Sequence, residues 1–323
     1  MPSSLQSTHE IDLPLIDISQ FPQDFDEQEV NRLQYLPGLA KLSDACKEWG
    51  FFLLVNHGVP QELLQKVQTV SRDLLSMPAE VKDRVTGCNP IDSYYRSPNY
   101  ESIRFINIAN SDSAGEMSPK IWPQKESSYC CETLGTYAVC LSNLAQKIIK
   151  MILASLGLDV DSFYRADFEI CSSVLRVNGY SSNEKSIGEE ALLAHTDPVC
   201  LTILYQDDVG GLQIRSKEGN WFTVKPRSHS FVVNVGDCLK AWSNGRYRSA
   251  EHRVVYTGWK DRMSIGLFYV FPDDAQIWAP TELVDEENPR RYKPFINSQL
   301  KHEIRTNKED KEKATALERF AGI

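Results

Sequence analysis

The sequence predicts a mixed α and β fold, with a mostly helical N-terminal region followed by a β-rich C-terminal half. In the first half, residues 38–50, 60–85 and 127–158 carry apolar side chains at helical spacing. From Phe168 to Phe271 the pattern changes to short runs rich in β-branched and aromatic residues, separated by Gly, Asp and Asn. Such regular short strands with turn signals favour a sandwich or barrel over βαβ units.

Local signals place the N-terminal elements. "LPLIDIS" predicts a short strand, and "GLAKLSDACKEWG" predicts a helix that stops at Gly50, before the strand "FFLLVNHG". Pro60 marks the start of the next long helix, and Pro78 separates that helix from a short one. Residues 86–126 are rich in turn formers and aromatic residues, with one strand-like run, "SIRFINIA". Aromatic residues in such a stretch often line a pocket.

Two further helices are predicted, one before the β-rich half and one at the C-terminal end. Residues 127–158 predict one long amphipathic helix that ends near Gly157 and is long enough to back a sheet. The charged tail "NKEDKEKATALERFAGI" predicts an exposed helix. We therefore expect an N-terminal region of residues 1–126 that packs on a core of residues 127–323, which contains the long helix, the strands and the tail.

Composition argues against several classes of partner. The 323 residues include 44 acidic and 35 basic side chains, a formal net charge of −9, which argues against nucleic acid and anionic membrane surfaces. The eight cysteines include no CxxC pair, a pattern typical of reduced intracellular proteins. No signal-peptide pattern opens the chain, and no run approaches about 18 uninterrupted apolar residues. We expect a cytoplasmic monomer that acts on a small molecule.

A candidate metal site is indicated by two histidines and one aspartate. His195 and Asp197 stand two positions apart, so on a strand their side chains share one face. His252 opens a later apolar strand that a jelly roll brings beside the first pair. Two His and one carboxylate hold Fe(II) on one face and leave three positions open. The alternative stays open at this point, because His-x-Asp is common by chance and a lone histidine is more often structural.

A candidate anion site follows on the next predicted strand. Arg262 and Ser264 alternate with Met263, so their side chains also share a face. A guanidinium presents a planar fork of donors that matches a carboxylate, and a hydroxyl beside it adds one more donor.

The order of these residues resembles a known family. His195-Thr196-Asp197, then His252, then Arg262-x-Ser264, together with "WGFFLLVNHGV", "QDDVGGLQI", "FVVNVGD" and "WSNGRYRSAEHRV", is similar to the plant 2-oxoglutarate- and Fe(II)-dependent dioxygenases. The resemblance covers nearly the whole chain, from "LPLIDIS" to "PRRYKPF". It implies a distorted double-stranded β-helix, a jelly roll, wrapped by helices of the N-terminal region.

The resemblance also implies roles for individual residues. His195, Asp197 and His252 match the iron ligands, and Arg262 and Ser264 match the pair that binds the distal carboxylate of 2-oxoglutarate. Asn178 and Tyr180 match an Asn-x-Tyr element near this co-substrate. The chain departs from the family here, because it has Asn-Gly-Tyr-Ser-Ser where Asn-Tyr-Tyr-Pro-Pro is common. The missing prolines put the loop after Tyr180 in question.

The implied reaction oxidises an unactivated carbon with dioxygen while 2-oxoglutarate becomes succinate and carbon dioxide, with ascorbate as the expected reductant. The segments "LTILYQDDVGGLQI" and "WSNGRYRSAEHRVV" resemble the gibberellin-oxidase-like branch, so we expect an apolar plant metabolite, such as a gibberellin-like or auxin-like carboxylic acid. Strand alternation in "SIRFINI" places Ser102, Arg104 and Ile106 on one face, and Arg104 is the preferred ligand for that acid. The expected lining of the substrate pocket is Arg96, Arg104, Tyr94, Phe105, Ile106, Phe268 and Phe271.

Alternatives remain at this stage. The aromatic residues of that lining are equally explained as ordinary core, and the two arginines as solvent-exposed or paired with Glu101 and Asp92. An ascorbate-dependent oxidase of the ethylene-forming type shares the iron ligands and the Arg-x-Ser pair, and a specialised-metabolite (alkaloid or flavonoid) oxidase shares the whole family pattern. A non-catalytic jelly-roll binding or storage protein explains the strands but not the three candidate metal ligands.

Overall fold

The computed structural model describes residues 9–22, 37–85, 91–106, 108, 127–306 and 316–323. Within these ranges the α-helices are α1 Pro37–Glu48, α2 Gln61–Ser76, α3 Ala79–Val85, α4 Ser127–Ser155, α5 Val160–Phe163, α6 Asp237–Trp242, α7 Asn297–Thr306 and α8 Ala316–Ala321. The strands are β1 His9–Ile11, β2 Leu15–Asp17, β3 Phe51–Val55, β4 Ile91–Ser97, β5 Tyr100–Ile106, β6 Ser172–Tyr180, β7 Glu190–His195, β8 Leu201–Gln206, β9 Leu212–Arg215, β10 Trp221–Val224, β11 Phe231–Val235, β12 His252–Val255, β13 Arg262–Val270, β14 Gln276–Ile277 and β15 Phe295–Ile296.

Two sheets form the jelly roll. The major sheet has the order β2-β3-β11-β8-β13-β6-β5-β4, and the minor sheet has the order β1-β10-β9-β12-β7. Their facing sides meet in a small apolar core that includes Phe51 and Val232 from the major sheet and Leu212 and Ile214 from the minor sheet. We call the side of the major sheet that faces the minor sheet its inner face. The strands of the β-rich half therefore form the predicted jelly roll.

The opposite, outer face of the major sheet packs on helices. Met263, Ile265, Leu267 and Tyr269 of β13 belong to one apolar core with the long helix α4 and with α1 and α2. Tyr129–Ser155 of α4 has the length and hydropathy of a membrane-spanning helix, but 56% of its apolar 18-residue window is buried inside the protein. Its apolar character is explained by its role as the helix that backs the sheet.

The N-terminal region contributes strands as well as helices. Strands β2 and β3 lie at one edge of the major sheet, and the hairpin β4–β5 lies at the other. Gly50 lies between α1 and β3 with a φ of +67°, and a Cβ there would meet the carbonyl oxygen of Arg248 at 2.2 Å. A glycine is thus required for the helix to stop and turn into the sheet.

Two local expectations differ from the structure. Strand β4 lies in a segment that was expected to be mostly loop. Pairing with β5 stabilises it as a strand, and this pairing is not visible in the sequence of β4 itself. The tail was expected to be exposed, but Ala316, Leu317 and Ala321 of α8 are buried, so α8 packs as an amphipathic helix. Residues 307–315 lie outside the described residues. The division at residue 126 stays a prediction, and strands from both sides of it share one sheet.

Candidate metal and co-substrate site

The two candidate histidines meet across neighbouring strands. His195 ends β7 and His252 begins β12, and the two are register partners in the minor sheet, with ring centroids 4.3 Å apart. Asp197 lies two residues beyond the end of β7, and its Oδ1 is 3.7 Å from the Nε2 atom of each histidine. The candidate ligand atoms of all three residues lie within 4.8 Å of one another. Such a cluster has the spacing of a single metal site.

Backbone carbonyl groups orient both imidazoles. Nδ1 of His195 is 2.7 Å from the carbonyl oxygen of Leu193, and Nδ1 of His252 is 3.2 Å from that of Ala250. A carbonyl oxygen only accepts, so each Nδ1 carries the hydrogen and each Nε2 keeps its lone pair for a metal. Desolvation and, secondarily, the nearby His252 lower the pKa of His195 to about 4, which keeps this imidazole neutral near pH 7.

The carboxylate of Asp197 is held from its other side. Thr202 Oγ1 donates to Asp197 Oδ2 at 2.7 Å, and Asn234 Nδ2 donates to the same oxygen at 2.9 Å. Burial by itself raises the pKa of Asp197, but the two imidazoles and these hydrogen bonds outweigh it and hold the pKa below its usual value. Oδ1 therefore remains as one anionic donor directed toward the two Nε2 atoms. Two imidazoles and one carboxylate fit Fe(II).

The turn that carries Asp197 is fixed by the end of β11. Thr196 Oγ1 donates to the buried carboxylate of Asp237 at 2.8 Å, and Asp237 N donates to the carbonyl oxygen of Asp197 at 2.8 Å. A Cβ at Gly236 would meet the carbonyl oxygen of Val199 at 2.1 Å, so only glycine allows this close approach. The sequence does not reveal this role of the "FVVNVGD" segment, because its contact with residues 196–199 depends on the pairing of β8 with β11.

The predicted co-substrate residues lie together on the inner face at the start of β13. Arg262 Nη1 donates to Ser264 Oγ at 3.1 Å, and the guanidinium lies 4.7 Å from the centre of the Tyr180 ring. Asn178 Nδ2 donates to the same Ser264 Oγ at 3.3 Å. Arg262 and Ser264 are register partners of Tyr180 and Asn178 on β6. The four side chains form one buried cluster with a guanidinium and a hydroxyl available to a carboxylate.

The loop after Tyr180 keeps its place without prolines. Ser181 N donates to the carbonyl oxygen of Asn99 at 2.9 Å, and Ser182 N donates to Asp261 Oδ1 at 2.9 Å. Prolines lack both of these donors. These two backbone hydrogen bonds thus hold the loop after Tyr180 in place. Gly179 permits contact with Leu75 of α2, whose Cδ2 would lie 3.0 Å from a Cβ at that position.

Comparison with known proteins identifies the family. The family model described as the 2OG-Fe(II) oxygenase superfamily matches residues 171–270, and one described as the N-terminal part of a non-haem dioxygenase in morphine synthesis matches residues 13–125. The gibberellin 20-oxidase-like protein of Arabidopsis thaliana is 34% identical over 263 residues, 76% of this chain and 80% of that protein. The chain belongs to the 2OG-Fe(II) oxygenase superfamily. Within it, the similarity is to plant dioxygenases.

Two further relatives of this oxygenase have solved structures. The dioxygenase for auxin oxidation (DAO) of rice has a TM-score of 0.81 at 31% identity, over 96% of this chain and 100% of that one. JOX2, solved in complex with 2OG, Fe and JA, also has a TM-score of 0.81, at 30% identity over 100% of this chain and 92% of that one. The oxygenase is thus a 2-oxoglutarate-dependent dioxygenase, and its cofactors are Fe(II) and 2-oxoglutarate.

The chemistry divides between the metal and the chain. Bound Fe(II) supplies the redox chemistry that couples decarboxylation of 2-oxoglutarate to oxidation of the substrate by dioxygen. The chain supplies position and charge. His195 and His252 of the minor sheet, with Asp197 on the turn after β7, would hold Fe(II), while Arg262 and Ser264 on the inner face of the major sheet would hold the distal carboxylate of the co-substrate.

Register pairing arranges the inner face of the oxygenase in four rows across β5, β6, β13 and β8, since directly paired residues share a face. The first row is aromatic and cationic, the second is polar, the third contains two arginines, and the fourth is mainly apolar. In this order the rows are Tyr100, Tyr180 and Arg262; Ser102, Asn178, Ser264 and Gln206; Arg104, Arg176, Gly266 and Leu204; and Ile106, Val174, Phe268 and Thr202.

The structure brings only three of the expected pocket residues to this face. Arg104, Ile106 and Phe268 lie in the third and fourth rows and are partly exposed. Arg176, which the sequence analysis did not single out, is the register partner of Arg104. The sequence does contain evidence for its position: in "VLRVNGY", strand alternation places Arg176 on the same face as Asn178 and Tyr180.

The other four expected residues do not line the inner face, which corrects the expectation. Phe105 is fully buried among residues that pack on the helices. Phe271 lies beyond β13 with its ring 5.5 Å from that of Phe168 in the same core. Tyr94 Oη donates to Glu101 Oε2 at 2.7 Å on the outer face. Arg96, the register partner of Glu101, lines a cavity of about 500 Å³ there with Lys82 and Tyr94.

Proposed function

We propose that this oxygenase oxidises an apolar small molecule that carries a carboxylate, and that Arg176 and Arg104 bind this carboxylate. The single observation that carries the proposal is the pair of arginines on the inner face, between the co-substrate row and the apolar row. The 2-oxoglutarate is converted to succinate and carbon dioxide in the same turnover, and the oxidised substrate is the second product.

Arg176 is the better placed of the two cations. Its Nε is buried and has no hydrogen-bond partner among the described residues. Its charge acts on the metal site, because it contributes, after desolvation and His252, to the low pKa of His195. A buried guanidinium nitrogen without a partner is costly, and an anionic ligand removes that cost. Arg176 is thus ready for an anion close to the metal ligands.

Arg104 strengthens the same anion site from the next strand. It is the direct register partner of Arg176, so two positive charges stand on adjacent strands of one face. It also lies close enough to Asp273 to help lower the pKa of that carboxyl group, after the larger effects of Lys301. Arg104 therefore stands toward the rim of the inner face, whereas Arg176 stands nearer the metal.

This anion site is separate from that of the co-substrate. Arg262 and Ser264 on β13 would hold the distal carboxylate of 2-oxoglutarate. Arg176 and Arg104 lie on β6 and β5, on the side of β13 away from β8. At the level of the arginines, β13 has Gly266, and the apolar side chains of Phe268 and Leu204 pack over it, with Phe268 Cε2 only 3.3 Å from the position of a Cβ. A second, substrate anion fits this arrangement.

The apolar row supplies the rest of the pocket. Ile106, Val174 and Phe268 are register neighbours on β5, β6 and β13, one residue pair beyond the arginines. An apolar surface with a few convergent polar groups is typical of small-molecule sites. Relatives named for gibberellin and for auxin oxidation, and JOX2 solved with JA, support a hormone-like acid as the substrate.

The test compares free acids with their methyl esters. A panel of gibberellin-like, auxin-like and jasmonate-like acids and esters is incubated with the Fe(II)-loaded enzyme, and succinate and oxidised product are measured together. We expect kcat/KM for the preferred acid to exceed that for its ester by at least tenfold, because a charge-assisted hydrogen bond contributes roughly 1.5–3 kcal/mol. Succinate formed one-for-one with product also separates this reaction from the ascorbate-dependent alternative.

Substitutions of the arginines test which side chain causes the preference for the acid over its ester. Arg176→Leu is expected to remove most of the discrimination between acid and ester, and Arg104→Ala part of it. Arg96→Leu is the matched control, since Arg96 stands on the outer face of the same hairpin and its removal should leave the discrimination unchanged. Equal turnover of acid and ester by the parent enzyme would refute the carboxylate proposal and leave the dioxygenase activity untouched.

A further inference from the structure

Tyr100 contacts the co-substrate cluster from the neighbouring strand β5. It begins β5, is the register partner of Tyr180, and is 92% buried, with 8% of its surface exposed. Its ring centre lies 5.0 Å from that of Tyr180, whose other partner is the guanidinium of Arg262 at 4.7 Å. The two tyrosine rings and the guanidinium thus form one continuous packing unit.

The hydroxyl of Tyr100 begins a directional chain of hydrogen bonds. Tyr100 Oη donates to Asn178 Oδ1 at 3.0 Å, and Asn178 Nδ2 donates to Ser264 Oγ at 3.3 Å. Arg262 Nη1, which can only donate, gives a second hydrogen bond to the same oxygen at 3.1 Å. Both lone pairs of Ser264 Oγ are then occupied. Its own O–H must point elsewhere.

We propose that Tyr100 is a positioning residue for 2-oxoglutarate. Its hydroxyl holds the amide of Asn178 with the NH₂ group toward Ser264, and this leaves the Ser264 O–H free to donate to the distal carboxylate of the co-substrate. If the amide turned over, Asn178 Oδ1 would face Ser264 and accept that O–H, and the co-substrate would lose one donor. Tyr100 therefore acts through Asn178 and Ser264, without needing to touch 2-oxoglutarate itself.

The variant that isolates this effect is Tyr100→Phe, which deletes the hydroxyl and keeps the stacked ring. Binding of 2-oxoglutarate is measured by calorimetry on enzyme loaded with Mn(II) in the absence of oxygen, and KM and kcat on the Fe(II) enzyme. Loss of one neutral hydrogen bond predicts roughly a two- to tenfold weaker Kd and a matching rise in KM for 2-oxoglutarate. The kcat at saturating 2-oxoglutarate should stay unchanged.

Two comparisons make the assignment specific. Tyr94→Phe is the matched control, because it removes a hydroxyl from the outer face of the same hairpin, where the partner is Glu101; it should leave the Kd for 2-oxoglutarate unchanged. Ser264→Ala removes the last member of the chain, so Tyr100→Phe should have almost no further effect on Kd in that background. Thermal unfolding of each variant verifies that it is folded.

Three results would overturn the proposal. The first is a Kd for 2-oxoglutarate that Tyr100→Phe does not change. The second is full additivity of Tyr100→Phe and Ser264→Ala, which would mean that the two residues act independently. The third is a lower kcat at unchanged KM. The Kd results do not bear on the substrate carboxylate, because calorimetry on the Mn(II) enzyme measures the co-substrate without substrate.

Discussion

Thr202 gives the sharpest test of how the metal site is built. Its Oγ1 donates to Asp197 Oδ2 at 2.7 Å, and the side chain lies on β8, one strand away from Asn234, the second donor to that oxygen. Thr202→Val replaces the hydroxyl by a methyl group of similar size. Since valine suits a strand at least as well as threonine, the fold should be retained. Only the support of the carboxylate changes.

The magnitude follows from the charge of the acceptor. A hydrogen bond to a charged group contributes roughly 1.5–3 kcal/mol, and about 1.4 kcal/mol corresponds to tenfold in affinity. Loss of the Thr202 donor therefore predicts a metal Kd about 10- to 100-fold weaker, the range usual for residues that orient metal ligands. Because Asn234 still donates to Oδ2, we expect a value near tenfold.

The assay is an anaerobic calorimetric titration of the apo-enzyme with Fe(II), with Mn(II) as an oxidation-resistant substitute. The hydrogen bond from Thr202 helps to lower the pKa of Asp197. Its removal raises that pKa, so protons compete with the metal at higher pH and the loss of affinity should grow as the pH falls. Thr223→Val on β10 is the control, because its hydroxyl accepts from Gln213 at 3.1 Å and does not contact Asp197.

Two outcomes would refute the reasoning. An unchanged metal Kd in Thr202→Val would show that the hydrogen bond does not hold the ligand. A loss of kcat that excess Fe(II) does not restore, at unchanged Kd, would place the effect of Thr202 in the reaction instead of in metal binding.

Two further predictions concern single buried groups. Arg262→Lys keeps the charge but loses the planar guanidinium, which donates hydrogen bonds to Gly210, Ser264 and Gln206. The KM for 2-oxoglutarate should therefore rise about tenfold or more, while the KM for substrate changes little, and Ser264→Ala should have a milder effect. An unchanged KM for 2-oxoglutarate would contradict this role. Burial raises the pKa of Asp237 from 3.8 to about 7, so the folded state retains a proton that the unfolded state loses, and stability falls as pH rises through that window. Asp237→Asn should therefore raise the Tm of the apo-enzyme at about pH 8 and have little effect near pH 4; a Tm difference independent of pH would contradict it.

The sequence alone was sufficient to predict most of the helices and strands of the fold. Short runs rich in β-branched and aromatic residues, separated by turn formers, predicted the strands of a sandwich or barrel. The helical period of residues 127–158 predicted the helix that backs the sheet, observed as Ser127–Ser155. These elements are encoded by local patterns of apolar residues, which recur with the geometry of the strand or helix. Strand β4 was not predicted, because a strand at a sheet edge depends on the partner it pairs with.

At the site, the sequence determined which residues could act and the tertiary structure decided where they act. Alternation places Arg104 and Ile106 on one face and Phe105 on the other. It does not say which face meets the minor sheet, because the major sheet buries apolar residues on both of its faces. That choice, made by the packing of α4, put Phe105 into the core and Arg104 onto the inner face.

Cross-strand contacts were beyond the sequence for a related reason. Thr202 and Asn234 support Asp197, Tyr100 supports Asn178, and Arg176 stands beside Arg104, yet each contact joins residues from separate strands. The residue type determines what each side chain can donate, accept or bind. Its partner is determined by strand order and register, which arise only when the sheet closes and all of its strands are packed together.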